Sequence, residues 1–215
     1  MWQYCLFLTY VVNIINIPFD NGANKLGSKN TPKILDPYLN FLQIDKKINI
    51  NTNNFVFTVL DDGYKAVYKT MKSGKFPLTI GGDHTVAISS IFAVNEYCNL
   101  LNYSLGILWC DAHADFNTMI TSPTKNIHGM PISILCGHTL PTLKLSDSLM
   151  PEQFGYYGVR DIDSLVIPFS TKINSQLNEV FISFDVSPSD KYNIFIKPNA
   201  IKDIRGSVND TLNYN

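Results

Sequence analysis

Three side chains able to hold a divalent cation, Asp111, His113 and Asp115, occupy alternate positions in the stretch GILWCDAHADFNTMITSPTKNIHGMPISIL, residues 106–135. They follow directly on an apolar run that reads as a buried strand. In an extended segment residues i, i+2 and i+4 project to one side, so the spacing predicts that the three converge. Two carboxylates brought together without a cation repel one another and raise each other's pKa. A divalent ion removes that cost. An oxygen-rich site containing imidazole suits Mn2+, with Zn2+ or Fe2+ as rivals. His84 in GGDH and Asp185 in SFDV extend the set to five candidates, two imidazoles and three carboxylates. Three carboxylates around one dication leave net negative charge, so two ions bridged by shared carboxylates fit the count better. Paired ions activate a bridging water and clamp the centre under attack. Taken singly, His84 or His138 at a strand end is an ordinary hydrogen-bonded residue, and a lone Asp there is an N-cap. It is the clustering that argues for metal.

The elements that must position these residues alternate between strand and helix patterns. VVNIINIP reads as a buried strand, and TPKILDPYLNFL as a short helix with Thr31 as N-cap and Pro32 at N1. FVFTVL reads as a strand, and 62–73 as an amphipathic helix with Gly74 at its C-cap. FPLTIGGDH is a strand entering a glycine turn, followed by the helix TVAISSIFAVNEYC. YSLGILWCDAHAD is a strand ending in the acidic cluster, and GMPISILCG a helix. QFGYYGVRDID and EVFISFDV supply two further strands. This order predicts an α/β fold with a mostly parallel sheet and helices on both faces. Ligands of such sheets gather beyond the carboxyl ends of the strands. GGDH, DAHAD, RDID and FDVSPSD all fall there.

With 215 residues the chain is expected to form a single domain over 1–215, with residues 1–10 as an apolar extension. Charged residues make up only 16% of it, so their concentration at strand ends is informative. A net charge of −1 gives no basic bulk for nucleic acid. The apolar N-terminus lacks the basic region of a secretory signal and is barely long enough for a bilayer span, so a buried strand is expected and no membrane role. Cys5, Cys98, Cys110 and Cys136 form no CxxC pair. Cys110 and Cys136 lie in apolar runs and read as buried free thiols, which points to a reducing, cytoplasmic setting. The loop DNGANKLGSKN has neither a GxGxxG nor a P-loop pattern.

GGDH, DAHADFN, NIHG, GVRDID and SFDV occur in the order and contexts of the ureohydrolases, and the chain resembles that family from residue 15 or so to about residue 190. The family comprises binuclear manganese enzymes including arginase and agmatinase, and the segment 111–130 resembles arginase most. The resemblance implies a three-layer α/β/α fold. It implies that His84, Asp111, Asp115 and Asp185 hold one Mn2+, and that Asp111, His113 and Asp185 contribute to a second. His128 would be the proton shuttle to the leaving amine. Asn117, Thr124 and Asn126 would bind the α-carboxylate of a guanidino substrate such as L-arginine, and Asp163 its α-amino group. Homo-oligomers are usual in the family.

The chain also departs from the family pattern. Ser187 stands where relatives carry a chelating aspartate, and a neutral hydroxyl is a poor ligand for a hard dication. The spacing between RDID and SFDV is short. The tail 191–215 diverges, and no glutamate follows Glu179 to pair with a guanidinium. Two readings therefore stand. One is an arginase-like hydrolase with one or two Mn2+ ions. The other is a scaffold that retains at most one metal and acts, if at all, by binding. Lys125, between Thr124 and Asn126, either pairs with the substrate carboxylate, crowds it, or lies on solvated surface.

Overall fold

The computed structural model describes residues 11–138 and 148–159. Asp163, Asp185, Ser187, the strand expected at EVFISFDV, the apolar extension and the tail lie outside the described residues. The described residues fall into two compact units. One takes in residues up to Leu105 together with 115–149. The other comprises Gly106–Ala114 and 150–159.

The first unit is built on a parallel three-stranded sheet of order β2-β1-β3. Its strands are β1 (Val12–Ile17), β2 (Ile44–Asn49) and β3 (Phe76–Gly81). β1 is rich in β-branched residues and buried along nearly its whole length, as a central strand covered on both faces must be. Its odd positions face one layer. Ile15 and Ile17 pack with Val59 and Val67 of α2 (Val56–Lys72) and Ala93 of α3 (Ala87–Leu100). Asn13 on this face donates from Nδ2 to Thr70 Oγ1 of α2. The even positions Val12 and Ile14 pack with Ile80 and, on the far side of the sheet, with Leu39, which follows α1 (Thr31–Leu35). Helical layers therefore cover both faces, as the alternation of elements predicts. A third cluster joins Leu60 of α2 and Ile88 of α3 to Met130 and Ile134 at α4 (Pro131–Leu135).

The second unit contains a parallel pair, β4 (Ile107–Cys110) with β5 (Phe154–Tyr157), in the register Ile107↔Phe154 to Cys110↔Tyr157. The Asp111 N–H continues this ladder, donating to the Tyr157 carbonyl at 3.1 Å.

Several sequence expectations are corrected here. FVFTVL opens helix α2 instead of forming a strand. Val56, Val59, Leu60, Gly63 and Val67 share its inward face at helical spacing, a pattern a short apolar run conceals. β2 is a strand the sequence reading missed, because its middle residues Asp45, Lys46 and Lys47 are exposed at the outer position of the sheet order. Thr31 is not an N-cap. A 3-10 turn at Ser28–Asn30 runs straight into α1, so Thr31 is already helical and its hydroxyl donates to the Ser28 carbonyl. Ser73 is the C-cap of α2, and Gly74 follows it with φ 71°. Cys110 is exposed and Cys136 half-buried, since alternation along β4 turns Trp109 inward and Cys110 out. Among the described residues, no helix is long and apolar enough to cross a membrane.

Candidate metal centre

His84 opens the 3-10 turn His84–Val86 that follows β3. The turn exists because Asp83 caps it, its Oδ1 accepting the Thr85 N–H at 2.9 Å. Gly82 is required just before it, because a Cβ there would meet the Phe19 carbonyl oxygen at 2.0 Å. His84 is half-exposed, and its Nδ1 stands 2.8 Å from Oδ2 of the buried Asp115.

Asp115 does not reach this position by strand alternation. Its φ is 49°, in the left-handed region that an aspartate tolerates better than most residues. The expectation of an extended 111–115 is thereby corrected. The distortion is held from both sides. The Asp115 carbonyl accepts the Ile132 N–H of α4, and the Asn117 N–H donates to the Gly129 carbonyl. Ser133 Oγ of α4 also donates to the Asn117 carbonyl. DAHADFN and NIHG, separate in sequence, are tied by hydrogen bonds through 115–117 and α4. Phe116 is buried there, with the His138 ring edge-on at 5.9 Å.

In the second unit, Asp111 and His113 form an Asx-type turn. Asp111 Oδ1 accepts the His113 backbone N–H at 2.8 Å and lies 3.3 Å from His113 Nδ1. His113 is exposed, and the Tyr156 hydroxyl of β5 donates to the Ala114 carbonyl. The turn replaces the straight strand exit that the spacing suggested.

His128 lies in the 3-10 turn Ile127–Gly129 and is half-buried. Its ring Nδ1 is 2.8 Å from the Gly22 carbonyl, which also accepts the His128 backbone N–H at 3.2 Å. A carbonyl only accepts, so Nδ1 carries the hydrogen and Nε2 is the ring atom left for chemistry. Neither Gly22 nor Asp83 was singled out from sequence. The acidic residue inside GGDH was the available signal for the second.

The segment 117–126 is a self-bonded loop. Asn117 Oδ1 accepts the Thr121 hydroxyl at 2.9 Å, and Thr121 Oγ1 accepts the Thr118 N–H at 2.8 Å. Thr124 is exposed, and its hydroxyl lies 3.4 Å from both Ser122 Oγ and the Asn126 N–H. Lys125 adopts φ 58° and turns its ammonium back onto the loop, donating to the carbonyls of Met119 at 2.7 Å and Ile120 at 3.3 Å.

Two donors bound at about 2.1 Å to one ion at right angles stand about 3 Å apart. The 2.8 Å between His84 Nδ1 and Asp115 Oδ2 meets that requirement, with one nitrogen and one anionic oxygen. A plain hydrogen bond has the same length, so the geometry fits an ion without demanding one. The residues present are thus compatible with the divalent metal chemistry that their types suggest.

The family model described as Arginase family matches residues 11–191. The arginase of Saccharomyces cerevisiae is 30% identical over 206 residues, covering 75% of this chain and 60% of its own length. That of Staphylococcus aureus is 33% identical over 147 residues, covering 67% of this chain and 44% of its own. Among solved structures, the Entamoeba histolytica arginase in complex with L-ornithine has a TM-score of 0.67 at 27% identity, covering 74% of this chain and 60% of that one. The Bacillus subtilis arginase has a TM-score of 0.61 at 30% identity, covering 72% and 58%. This chain spans about 60% or less of the length of these relatives. The likeness agrees with the parallel, helix-covered sheet seen in the first unit.

Proposed function

Because this chain belongs to the arginase family, we propose that it hydrolyses a guanidino compound, L-arginine first among them, to urea and an amine. The observation that carries the reading is the His84–Asp115 pair at 2.8 Å, within a chain whose motifs keep the family's order. His84, Asp111, Asp115 and Asp185 would hold one Mn2+, and Asp111, His113 and Asp185 a second. Bound Mn2+ supplies a Lewis acid and water of lowered pKa for attack on the guanidinium carbon.

The chain's own residues do the rest. In the net reaction, water oxygen bonds to the guanidinium carbon and the bond from that carbon to the substrate's chain nitrogen breaks. The departing nitrogen needs a proton. His128, held through Nδ1, presents Nε2 and in its protonated form delivers that proton. Asn117, Thr124 and Asn126 lie on one loop and are the proposed contacts for the α-carboxylate, with Asp163 for the α-amino group. That the Entamoeba enzyme was solved with L-ornithine, the amine that arginine hydrolysis leaves, supports this substrate class. The chain would act in the cytoplasm as a homo-oligomer whose subunit is one domain over 1–215. The free Cys98, Cys110 and Cys136 are in keeping with a reducing setting.

The alternative of a scaffold without hydrolysis rests on Ser187 and the tail, and no described residue favours it. The test is metal content together with urea release from L-arginine with added Mn2+. Two ions per chain with urea release support the hydrolase. One ion or none, and no urea, overturns it.

A further inference from the structure

We propose that Asp83 is a positioning residue for His128, acting through the backbone of Gly22. For its catalytic consequence the proposal rests on the hydrolase reading above. Asp83 is buried, and both of its carboxylate oxygens are used. Oδ2 accepts the Gly22 N–H at 2.8 Å, and Oδ1 accepts the Thr85 N–H at 2.9 Å. The Asp83 N–H in turn donates to the Phe19 carbonyl at 2.8 Å. The loop leaving β1 is thus pinned at Phe19 and Gly22 to the turn leaving β3.

Gly22 transmits the constraint. Its carbonyl accepts both Nδ1 of the His128 ring, at 2.8 Å, and the His128 backbone N–H, at 3.2 Å. Gly22 is held by its N–H on Asp83 Oδ2 and fits there only as glycine, because a Cβ would stand 2.0 Å from Thr85 Oγ1 and 2.9–3.0 Å from the Asp83 carboxylate oxygens. The carbonyl therefore sits where the Asp83 turn puts it, and the ring must meet it with a hydrogen on Nδ1. Free imidazole in a histidine side chain favours the hydrogen on Nε2. Asp83 thus sets the less common tautomer at one remove, leaving Nε2 as the exchanging atom. A carboxylate is needed for this because it offers an acceptor to each of two N–H groups. An amide would turn its NH2 toward one of them.

The tautomer is read directly by 15N NMR of the full, chelator-treated chain labelled at histidine, the His128 signal being identified by its loss in His128→Asn. The unmodified chain is expected to carry the His128 hydrogen on Nδ1, and Asp83→Asn to shift it toward Nε2. An Nε2 hydrogen in the unmodified chain overturns the proposal without any variant. So does a folded Asp83→Asn chain with the tautomer unchanged.

The kinetic arm separates this route from an effect through the neighbouring His84. With Mn2+ and L-arginine, Asp83→Asn should lower kcat about 10-fold with KM nearly unchanged, and should lower it no further in a His128→Asn background. Additive losses overturn the proposal. Absence of urea release from the unmodified chain would defeat the hydrolase reading, while the tautomer measurement would still decide the role of Asp83.

Discussion

Nδ1 of His84 faces Oδ2 of Asp115 at 2.8 Å, and Asp115 gets there through a left-handed backbone, φ 49°. The proposed ligand role and backbone strain are joined in one residue, and substitutions separate them. Asp115→Asn keeps a side chain that tolerates this conformation but removes the charge. It should melt close to the unmodified chain, yet bind Mn2+ about 10–100-fold more weakly by titration calorimetry. Asp115→Ala loses the ligand and also forces a Cβ residue without local hydrogen bonding into the left-handed region, at about 1–2 kcal/mol. Equal melting of the two variants would contradict the strain argument.

Gly22 is enclosed by Thr85 Oγ1 and the Asp83 carboxylate. Gly22→Ala is expected to destabilise the fold by about 1–3 kcal/mol, the cost of overpacking a tight site. Chemical denaturation with urea, followed by circular dichroism, measures it. A change within about 0.5 kcal/mol, the range of ordinary surface substitutions, would show that the loop after β1 yields easily.

Tyr64 on α2 donates its hydroxyl to the Glu96 carboxylate of α3. Burial, then that hydrogen bond, pushes the phenol well above its ordinary value. The folded chain therefore favours the neutral phenol more than the unfolded chain does. The resulting stabilisation is complete below the unfolded pKa, about 10, and is lost as pH rises from there toward the folded pKa. Tyr64→Phe should cost about 1 kcal/mol near neutral pH. Its deficit relative to the unmodified chain should shrink above about pH 10, in stability measured across an alkaline series.

The elements that were legible in sequence are those whose burial leaves a periodic trace. β1 is central and apolar on both faces, and β3 and β4 end at clusters of glycine or acid that break the apolar pattern. β2 was invisible because an outer strand can carry Lys46 and Lys47 outward. The start of α2 was misread because Phe55–Leu60 is too short an apolar run to reveal its period. At the site, residue types and their clustering at strand ends mark His84, Asp111, His113 and Asp115 as candidates. Their local geometry was not legible. The positive φ of Asp115 is held by hydrogen bonds to residues distant in sequence, the Asp115 carbonyl to the Ile132 N–H and the Asn117 N–H to the Gly129 carbonyl. The Asx turn from Asp111 to His113 competes locally with the extended strand exit. The roles of Gly22 and Asp83 were hidden because their partners, too, are distant in sequence.

Lys125 shows how such a partner changes a reading. From sequence it was a charge beside the proposed carboxylate contacts, open to pairing with substrate. In the fold its ammonium is turned onto the Met119 and Ile120 carbonyls, and its φ of 58° is the turn that permits this. Lys125 therefore braces the loop that carries Asn117, Thr124 and Asn126. Lys125→Met preserves the length and apolar stem but leaves both carbonyls without the ammonium. The loop should loosen and KM for L-arginine should rise about 3–10-fold, an order-of-magnitude equivalent of one lost hydrogen bond, with kcat changed little because His128 is held separately by Gly22. Steady-state urea release over a range of L-arginine concentrations checks it. Lys125→Arg, which can still donate to both carbonyls, should restore most of the lost affinity. If Lys125→Arg behaves like Lys125→Met, the bracing role is wrong.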